Sequence, residues 1–248
     1  MKHEPVQYRF DRVAESAPEQ VAISCGDTRI TYRELQQRTD KLAHLLLSGG
    51  AKKGSIVAVL LDSRVDAIAS IIAVLKAGAV FVPLDPLLPD LRLEMMVREV
   101  TPDLFISESD LMRRLNGFAH AKVLNLDKYR RLDQLDLDNV LASKTAEPSA
   151  PDDFCYIYFT SGSTGRPKSI AGRLKGIDHF ISWQVETLGI SKDDRVSQLL
   201  PLSFDGSLRD IFVPLCTGGT ICVPEHKELV TDAKGLVSSF CRLKFSRK

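Results

Sequence analysis

The sequence predicts an α/β fold of largely parallel sheets flanked by helices. Strand-like and helix-like segments alternate along most of the 248 residues, which is typical of β-α-β units. Residues 56–61 are apolar throughout, as expected of a strand that helices cover on both faces. At about 100–200 residues per domain, the chain has room for one large domain or two small ones.

The first predicted elements are two short strands and a capped helix. The strands, residues 21–25 and 29–31, are separated by a Gly-Asp turn. Thr31 and Glu34 have the spacing of a capping box, in which each side chain satisfies a free backbone N–H at a helix start. The helix that follows is predicted to end at Gly49.

The middle of the chain continues the alternation. Asp62 or Ser63 is expected to cap a helix that runs through Ala77 and is followed by a buried strand at 80–82. This stretch is interrupted by polar residues and is shorter than the roughly 20 apolar residues that span a bilayer, so we expect no membrane segment. Further strands are predicted at 104–107, 122–126, 154–160, 196–200 and 220–223, with helices around 91–99, 177–188 and 207–215.

A polar stretch divides the chain. Residues 127–153 lack hydrophobic periodicity, and we interpret them as an exposed connection. We therefore expect a first α/β subdomain at about 1–145 and the start of a second one at 146–248. A helix is also predicted from Thr231.

Composition excludes several classes of protein. The 33 basic and 32 acidic residues give a net charge of +1, which argues against a dedicated nucleic-acid or acidic-membrane binder. The five cysteines are scattered and lack CxxC spacing, so neither a disulfide framework nor a cysteine-rich zinc site is expected. The start of the chain has no secretory apolar region, and we expect a cytoplasmic protein without metal ligands of its own.

One loop carries a chemical signal. It follows the apolar strand predicted at 154–160 and contains small and hydroxylated residues and a lysine. Glycines allow a backbone to approach a bulky anion, backbone N–H groups in such a turn bind anions, and hydroxyl and ammonium groups add donors. The candidate phosphate-binding residues are Thr160, Ser161, Gly162, Ser163, Thr164, Gly165 and Lys168.

The loop is not a P-loop of the NTPase type. That motif requires glycine before the lysine, whereas Pro167 stands there. Proline has no N–H to donate to a phosphate, so the cradle would lose a central donor. The remaining alternative is a solvent-exposed loop of small residues.

Four segments resemble, in order, motifs of the adenylate-forming enzymes. They are residues 30–35, 75–86, 160–168 and 204–207, and they extend over nearly the whole chain. The superfamily includes acyl-CoA synthetases, luciferases and the adenylation domains of nonribosomal peptide synthetases. The chain looks like the N-terminal part of such an AMP-binding adenylation domain. We interpret the first two motifs as maintaining the fold.

The resemblance implies an ATP-dependent ligase. In the family, the signature loop holds the β- and γ-phosphates of ATP while a carboxylate attacks the α-phosphate, and this implies that Lys168 is the catalytic cation. Loop donors, lysine and Mg²⁺ would offset the repulsion between the two anionic substrates. The chain departs from the family pattern at Ser169, where glycine is usual, and at Leu174, where histidine is expected.

Asp205 is the residue that indicates which class of carboxylic acid is activated. By resemblance, its carboxylate binds the α-ammonium group of an amino acid, which a fatty or aryl acid lacks. The alternative is that Asp205 only caps the helix predicted from Ser207. The resemblance also implies that Gly206 and Arg209 line the side-chain pocket; alternatively, Arg209 faces solvent or pairs with Asp210.

The family's adenine, ribose and Mg²⁺ motifs and its small C-terminal domain have no counterpart in residues 1–248. We therefore expect a missing C-terminal half and no activity from this chain alone. The resemblance implies secondary-metabolite biosynthesis, with a peptidyl carrier protein and its phosphopantetheine as partners. Two alternatives remain: an acyl-CoA or aryl-acid ligase, and a non-catalytic remnant that acts as a binding module.

Overall fold

The computed structural model describes residues 4–115, 122–129, 146–161 and 166–225. The α-helices in these ranges are α1 (Val6–Ser16), α2 (Tyr32–Ser48), α3 (Arg64–Lys76), α4 (Asp90–Val100), α5 (Leu174–Leu188) and α6 (Ser207–Leu215). The strands are β1 (Val21–Cys25), β2 (Thr28–Thr31), β3 (Ile56–Leu60), β4 (Val80–Leu84), β5 (Leu104–Ser107), β6 (Lys122–Asn125), β7 (Phe154–Ser161), β8 (Pro167–Arg173), β9 (Arg195–Ser197) and β10 (Thr220–Val223). Short 3-10 helices lie at Met112–Leu115 and Leu126–Lys128.

The strands form two sheets within the described ranges. One has the order β6-β5-β3-β4-β7-β8, and only its β7–β8 pair is antiparallel. The other has the order β2-β1-β10-β9, with β1 and β2 antiparallel. This confirms the predicted α/β fold with largely parallel sheets. Both sheets take strands from either side of residue 145, and the division into two subdomains stays a prediction.

Local sequence signals set the predicted helix starts. The capping box of α2 is present: the Glu34 backbone N–H donates to Thr31 Oγ1 at 3.2 Å, and the Thr31 N–H donates to Glu34 Oε2 at 2.7 Å. Ser63, rather than Asp62, caps α3, because its hydroxyl accepts the Asp66 N–H at 3.2 Å. No described helix combines the length and the hydropathy that a membrane crossing requires.

Three elements differ from the prediction. Helix α1 was not predicted; its first N–H, that of Val6, donates 2.8 Å to the buried Asp178 of α5. Strand β8 was not predicted, and its first two residues, Pro167 and Lys168, were assigned to the candidate phosphate loop. Strand β9 ends at Ser197, because the N–H groups of the next two leucines, Leu199 and Leu200, donate to Asp210 of α6. The helix predicted from Thr231 lies outside the described residues.

A buried lysine connects the first three helices. Lys76, at the end of α3, places its Nζ 2.5 Å from carboxylate oxygens of both Asp11 and Asp40. The same ammonium lies 5.2 Å from the ring centroid of Phe10, within the range of a cation–π interaction. Its side chain is only 7% exposed, whereas those of Asp11 and Asp40 are 28% and 50% exposed. Burial raises the pKa of Asp40, and Lys76 opposes that rise.

We expect Lys76→Met to lower the free energy of unfolding by about 2 kcal/mol, because it leaves two carboxylates without their cation. Arg98→Met is the control: Arg98 pairs with Glu94 on the surface of α4, where such a pair contributes under about 0.5 kcal/mol. Urea denaturation measures both. Equal losses in the two variants would show that the buried cluster contributes no more than a surface pair.

Strands β7 and β8 pack an aromatic ring across a glycine. Tyr156 and Gly172 are register partners, and a Cβ added at Gly172 would overlap the ring of Tyr156. Tyr156 also contacts the rings of Phe81 and Tyr158, at centroid distances of 6.0 and 5.3 Å. Only glycine at this position leaves room for the ring in its present place.

Gly172→Ala is therefore expected to lower the free energy of unfolding by about 1–3 kcal/mol through overpacking. Gly176→Ala is the matched control, because nothing lies within 4 Å of its added Cβ and α5 gains up to about 1 kcal/mol from alanine. Combining Gly172→Ala with Tyr156→Ala should cost less than the sum of the two single changes. Additive losses in chemical denaturation would exclude the steric explanation.

Candidate functional site

A cavity of about 410 Å³ lies beside the C-terminal half of β7. Four segments contribute walls: β7, β8, the first half of α4 with the residues before it, and the turn that leads into α6. The lining residues are Leu88, Arg92, Met96, Tyr156, Tyr158, Phe159, Thr160, Ile170, Ser203, Phe204 and Asp205. Thr160 and Asp205, both predicted from sequence, thus line the same cavity.

The wall formed by β7 follows from strand geometry. Side chains two residues apart share a face, which places Tyr156, Tyr158 and Thr160 on the same side of β7. Ile170 and Lys168 of β8 are the register partners of Tyr158 and Thr160. Directly opposed residues of an antiparallel pair share a face, and Ile170 lines the cavity. Lys168, which is exposed, therefore lies on the same face of β8 as Ile170 and opposite Thr160, although it is not among the cavity-lining residues.

The loop between β7 and β8 is only partly within the described chain. Ser161 is the last residue of β7, and its backbone is the register partner of Pro167. The candidate residues Gly162, Ser163, Thr164 and Gly165 lie outside the described residues. Phosphate binding by this loop, including the catalytic assignment of Lys168, therefore stays a prediction.

Asp205 lies two residues before the start of α6 and is exposed to solvent. The N-cap of α6 is Gly206, and no side chain makes a capping hydrogen bond there. The arrangement in which Asp205 caps this helix is therefore not found. Burial raises the pKa of both Tyr156 and Tyr158, and the charge of Asp205 adds to the rise. Both phenols consequently stay protonated at neutral pH and present O–H donors.

Gly206 lies against the segment before Asp205, and Arg209 pairs with the next residue of its own helix. A Cβ on Gly206 would lie 2.8 Å from Cδ1 of Leu200, so this close approach favours glycine. Arg209 donates from Nε and Nη2 to Asp210 Oδ1, at 3.0 and 2.9 Å. Pairing of Arg209 with Asp210 is one of the alternatives that the sequence left open. Arg209 is not among the cavity-lining residues, and a substrate contact from Gly206 or Arg209 stays a prediction.

The side chain of Asp210 anchors the segment that leads to the cavity. Its carboxylate accepts the backbone N–H groups of Leu199 and Leu200 as well as the guanidinium of Arg209. Burial raises the pKa of Asp210, and these donors oppose the rise. The contact fixes the turn that carries Asp205 relative to α6.

Sequence reasoning identified only Thr160 and Asp205 of this lining and missed the others, among them Arg92, Met96, Tyr156 and Tyr158. Two signals were available. Arg92 and Met96 are four residues apart in α4 and therefore share one helix face, and the two tyrosines alternate with Thr160 along one strand face. Neither pattern predicts that α4 and β7 line one cavity, because more than 50 residues separate them in the sequence.

Within the described ranges, no three His, Cys, Asp or Glu side chains are grouped so that they could hold a metal ion. Cys155, Cys216 and Cys222 are buried with free thiols, and burial raises the pKa of each. Neutral buried thiols are poor nucleophiles and poor metal ligands. The chemistry of the cavity lining therefore depends on its hydroxyl, guanidinium and carboxylate groups.

Known proteins with similar sequences and structures were compared with the chain. Nonribosomal peptide synthetase 4 of Gibberella zeae is 34% identical over 93% of this chain, which spans 3% of that protein. The N-terminal subdomain of NpsA from Klebsiella oxytoca is 27% identical with a TM-score of 0.84, over 97% of this chain and 60% of the NpsA chain. That subdomain has also been solved with 3-hydroxybenzoyl-AMSN.

A third relative is the nonribosomal peptide synthetase FmoA3 in its alpha-methyl-L-serine-AMP bound form. It is 25% identical with a TM-score of 0.78, over 88% of this chain and 24% of that one. The chain thus spans a small part of its curated relatives and at most about two thirds of the matched structures. The sequence profile described as AMP-binding enzyme matches residues 10–246. The chain belongs to the AMP-binding, adenylate-forming enzyme family, and it is similar to the adenylation regions of nonribosomal peptide synthetases.

Proposed function

We propose that this chain is the N-terminal part of an amino-acid adenylation domain. Such a domain activates an amino acid with ATP to form aminoacyl-AMP and pyrophosphate, and it then loads the phosphopantetheine thiol of a peptidyl carrier protein. The observation that carries the proposal is the shared cavity: Thr160, at the base of the candidate phosphate loop, and Asp205 both line it.

The charges around the cavity suit the two substrates. A carboxylate oxygen attacks the α-phosphorus of ATP, the bond to the β-phosphate oxygen breaks, and pyrophosphate leaves. Both reactants are anionic, so cationic and hydrogen-bonding groups are needed where charge develops. Lys168 supplies an ammonium, and Thr160 supplies a hydroxyl. Mg²⁺ bound to ATP would neutralise phosphate charge, and we expect its protein ligands outside the described residues.

Asp205 supplies the selectivity for an amino acid. A carboxylate about 4 Å from an ammonium gains roughly 4 kcal/mol at an effective dielectric constant of 20, before desolvation is subtracted. Tyr156 and Tyr158, whose hydroxyls stay protonated, leave Asp205 as the anionic group of the cavity lining. The bound alpha-methyl-L-serine-AMP of the relative FmoA3 supports this assignment.

The alternative is an aryl-acid or acyl-CoA ligase of the same family. The NpsA subdomain bound to 3-hydroxybenzoyl-AMSN favours it, because that acyl group has no ammonium. An aryl acid would offer no cation to Asp205, whereas an amino acid would offer its ammonium group. A non-catalytic binding module is the third candidate, and nucleotide binding without activation of any acid would support it.

Asp205→Asn tests the ammonium assignment, because it removes the charge and keeps the shape. We expect amino-acid affinity, measured by calorimetry in the presence of ATP across all common amino acids, to fall roughly 100-fold or more, with ATP affinity within threefold of wild type. Asp193→Asn is the control, since Asp193 is an exposed carboxylate away from the cavity lining. Unchanged amino-acid binding in Asp205→Asn, or selective binding of aryl acids, would refute the assignment.

We also expect the 248-residue chain by itself to show no amino-acid-dependent ATP–pyrophosphate exchange. The matched solved structures are longer than this chain, and the resemblance assigns the adenine and ribose contacts to motifs that residues 1–248 lack. Radiolabelled pyrophosphate incorporation into ATP is the measurement. Exchange that depends on one amino acid would show that the described part already contains a complete site.

A further inference from the structure

Arg64 connects the start of α3 to the chain segment that carries Asp205. Its Nη1 donates to the side-chain oxygen of Gln198 at 2.9 Å, and to the backbone oxygens of Gln198 and Leu199 at 3.1 and 3.4 Å. These two residues follow β9 and begin the segment 198–205, which we call the strap and which ends at Asp205. The function proposed above assigns no role to Arg64.

The beginning of the strap is held by two charged residues from different helices. Asp210 of α6 accepts the N–H groups of Leu199 and Leu200, and Arg64 of α3 donates to the carbonyl oxygen of Leu199. The fully buried side chain of Gln198, itself bonded to Arg64, donates to the carbonyl oxygen of Leu200. The backbone polar groups of both leucines are thereby satisfied although both lie beyond the end of β9.

The stability of α3 does not account for an arginine at this position. Arg64 is the first residue of α3, where a cation opposes the helix dipole. Burial lowers the pKa of Arg64, and the charge of Asp85 opposes this fall, so the guanidinium is partly removed from water. Charge-assisted hydrogen bonds to oxygens of the strap offset these costs, because they give the guanidinium acceptors in place of water.

A second cavity, of about 210 Å³, borders the strap on the side of Arg64. Its lining includes Arg64, Leu199, Pro201, Leu202 and Ser203. Ser203 also lines the cavity to which Asp205 contributes, so the strap runs between the two cavities. Side chains that face a cavity have fewer packing contacts on that side. The hydrogen bonds at the beginning of the strap therefore carry much of the task of fixing its position.

We propose that Arg64 is a positioning residue for amino-acid selection: it fixes the strap and thereby sets where the carboxylate of Asp205 lies. Arg64 does not line the cavity that contains Asp205, so it acts through the strap and not on the substrate. The attraction between a carboxylate and an ammonium group weakens with distance, so a displaced strap binds the amino acid less tightly. The inference rests on the proposed function for the role of Asp205.

The test compares Arg64→Met with Arg33→Met by calorimetry on the whole chain, with ATP and the common amino acids as probes. Arg33 also lies in the first turn of a helix, α2, but it pairs with Glu19 at the surface, and its loss should leave affinities within about twofold. We expect Arg64→Met to weaken amino-acid binding roughly 10-fold or more and to keep ATP binding within about threefold. Arg64→Lys should lie in between, because it keeps one donor group.

Two further measurements separate positioning from a general structural role. In the Asp205→Asn background, Arg64→Met should weaken amino-acid binding no further, because the effect of Arg64 passes through that carboxylate. Hydrogen exchange of the ligand-free chain reports on the strap directly. In Arg64→Met we expect the amides of residues 199–205 to exchange roughly 10-fold faster or more, while those of β5 are unchanged.

The outcomes distinguish this inference from the proposed function. Equal amino-acid affinity of Arg64→Met and wild type, unchanged exchange of the strap, or parallel losses of ATP and amino-acid affinity would overturn the inference and leave the proposed function standing. If Arg64→Met does not fold, Arg64→Lys decides: weaker amino-acid binding with unchanged ATP binding supports the inference, and wild-type affinity for both overturns it. A wild-type chain that binds no amino acid overturns both.

Discussion

The antiparallel pairing of β7 with β8 is the constraint on which the site depends. Its register sets Lys168 opposite Thr160, and it directs Tyr156, Tyr158 and Ile170 towards the cavity. A slip of one residue would turn these side chains to the other face of the sheet. The ring of Tyr156 lies over Gly172, and this fit opposes such a slip because any Cβ at that position would collide with it.

A second constraint fixes the turn that carries Asp205. Two neighbouring backbone N–H groups and the guanidinium of Arg209 converge on the carboxylate of Asp210. This explains why a charged residue is retained at a buried position of α6: it replaces strand hydrogen bonds for a segment that leaves the sheet early. Arg209 therefore has a structural partner in the chain itself, which accounts for its geometry without a substrate.

Together these constraints bring Asp205 into a cavity that also contains a charge of the opposite sign. Arg92 comes from the first turn of a helix and Asp205 from a turn before another helix, and both line the cavity. The proposed substrate, an amino acid, is both an anion and a cation. A lining that carries both signs of charge suits such a molecule better than a uniformly basic one would.

The sequence alone determined the elements whose signals are local. The capping box at Thr31, a cap at Asp62 or Ser63 and the apolar run of β3 depend on neighbours a few residues away, so they could be predicted. Motifs also singled out Thr160 and Asp205, whose roles stay predictions. Only the tertiary structure decided α1, which is held by Asp178 from the other end of the chain, and the meeting of α4 with β7. Contacts between distant segments depend on how whole faces pack, and no local pattern encodes that packing.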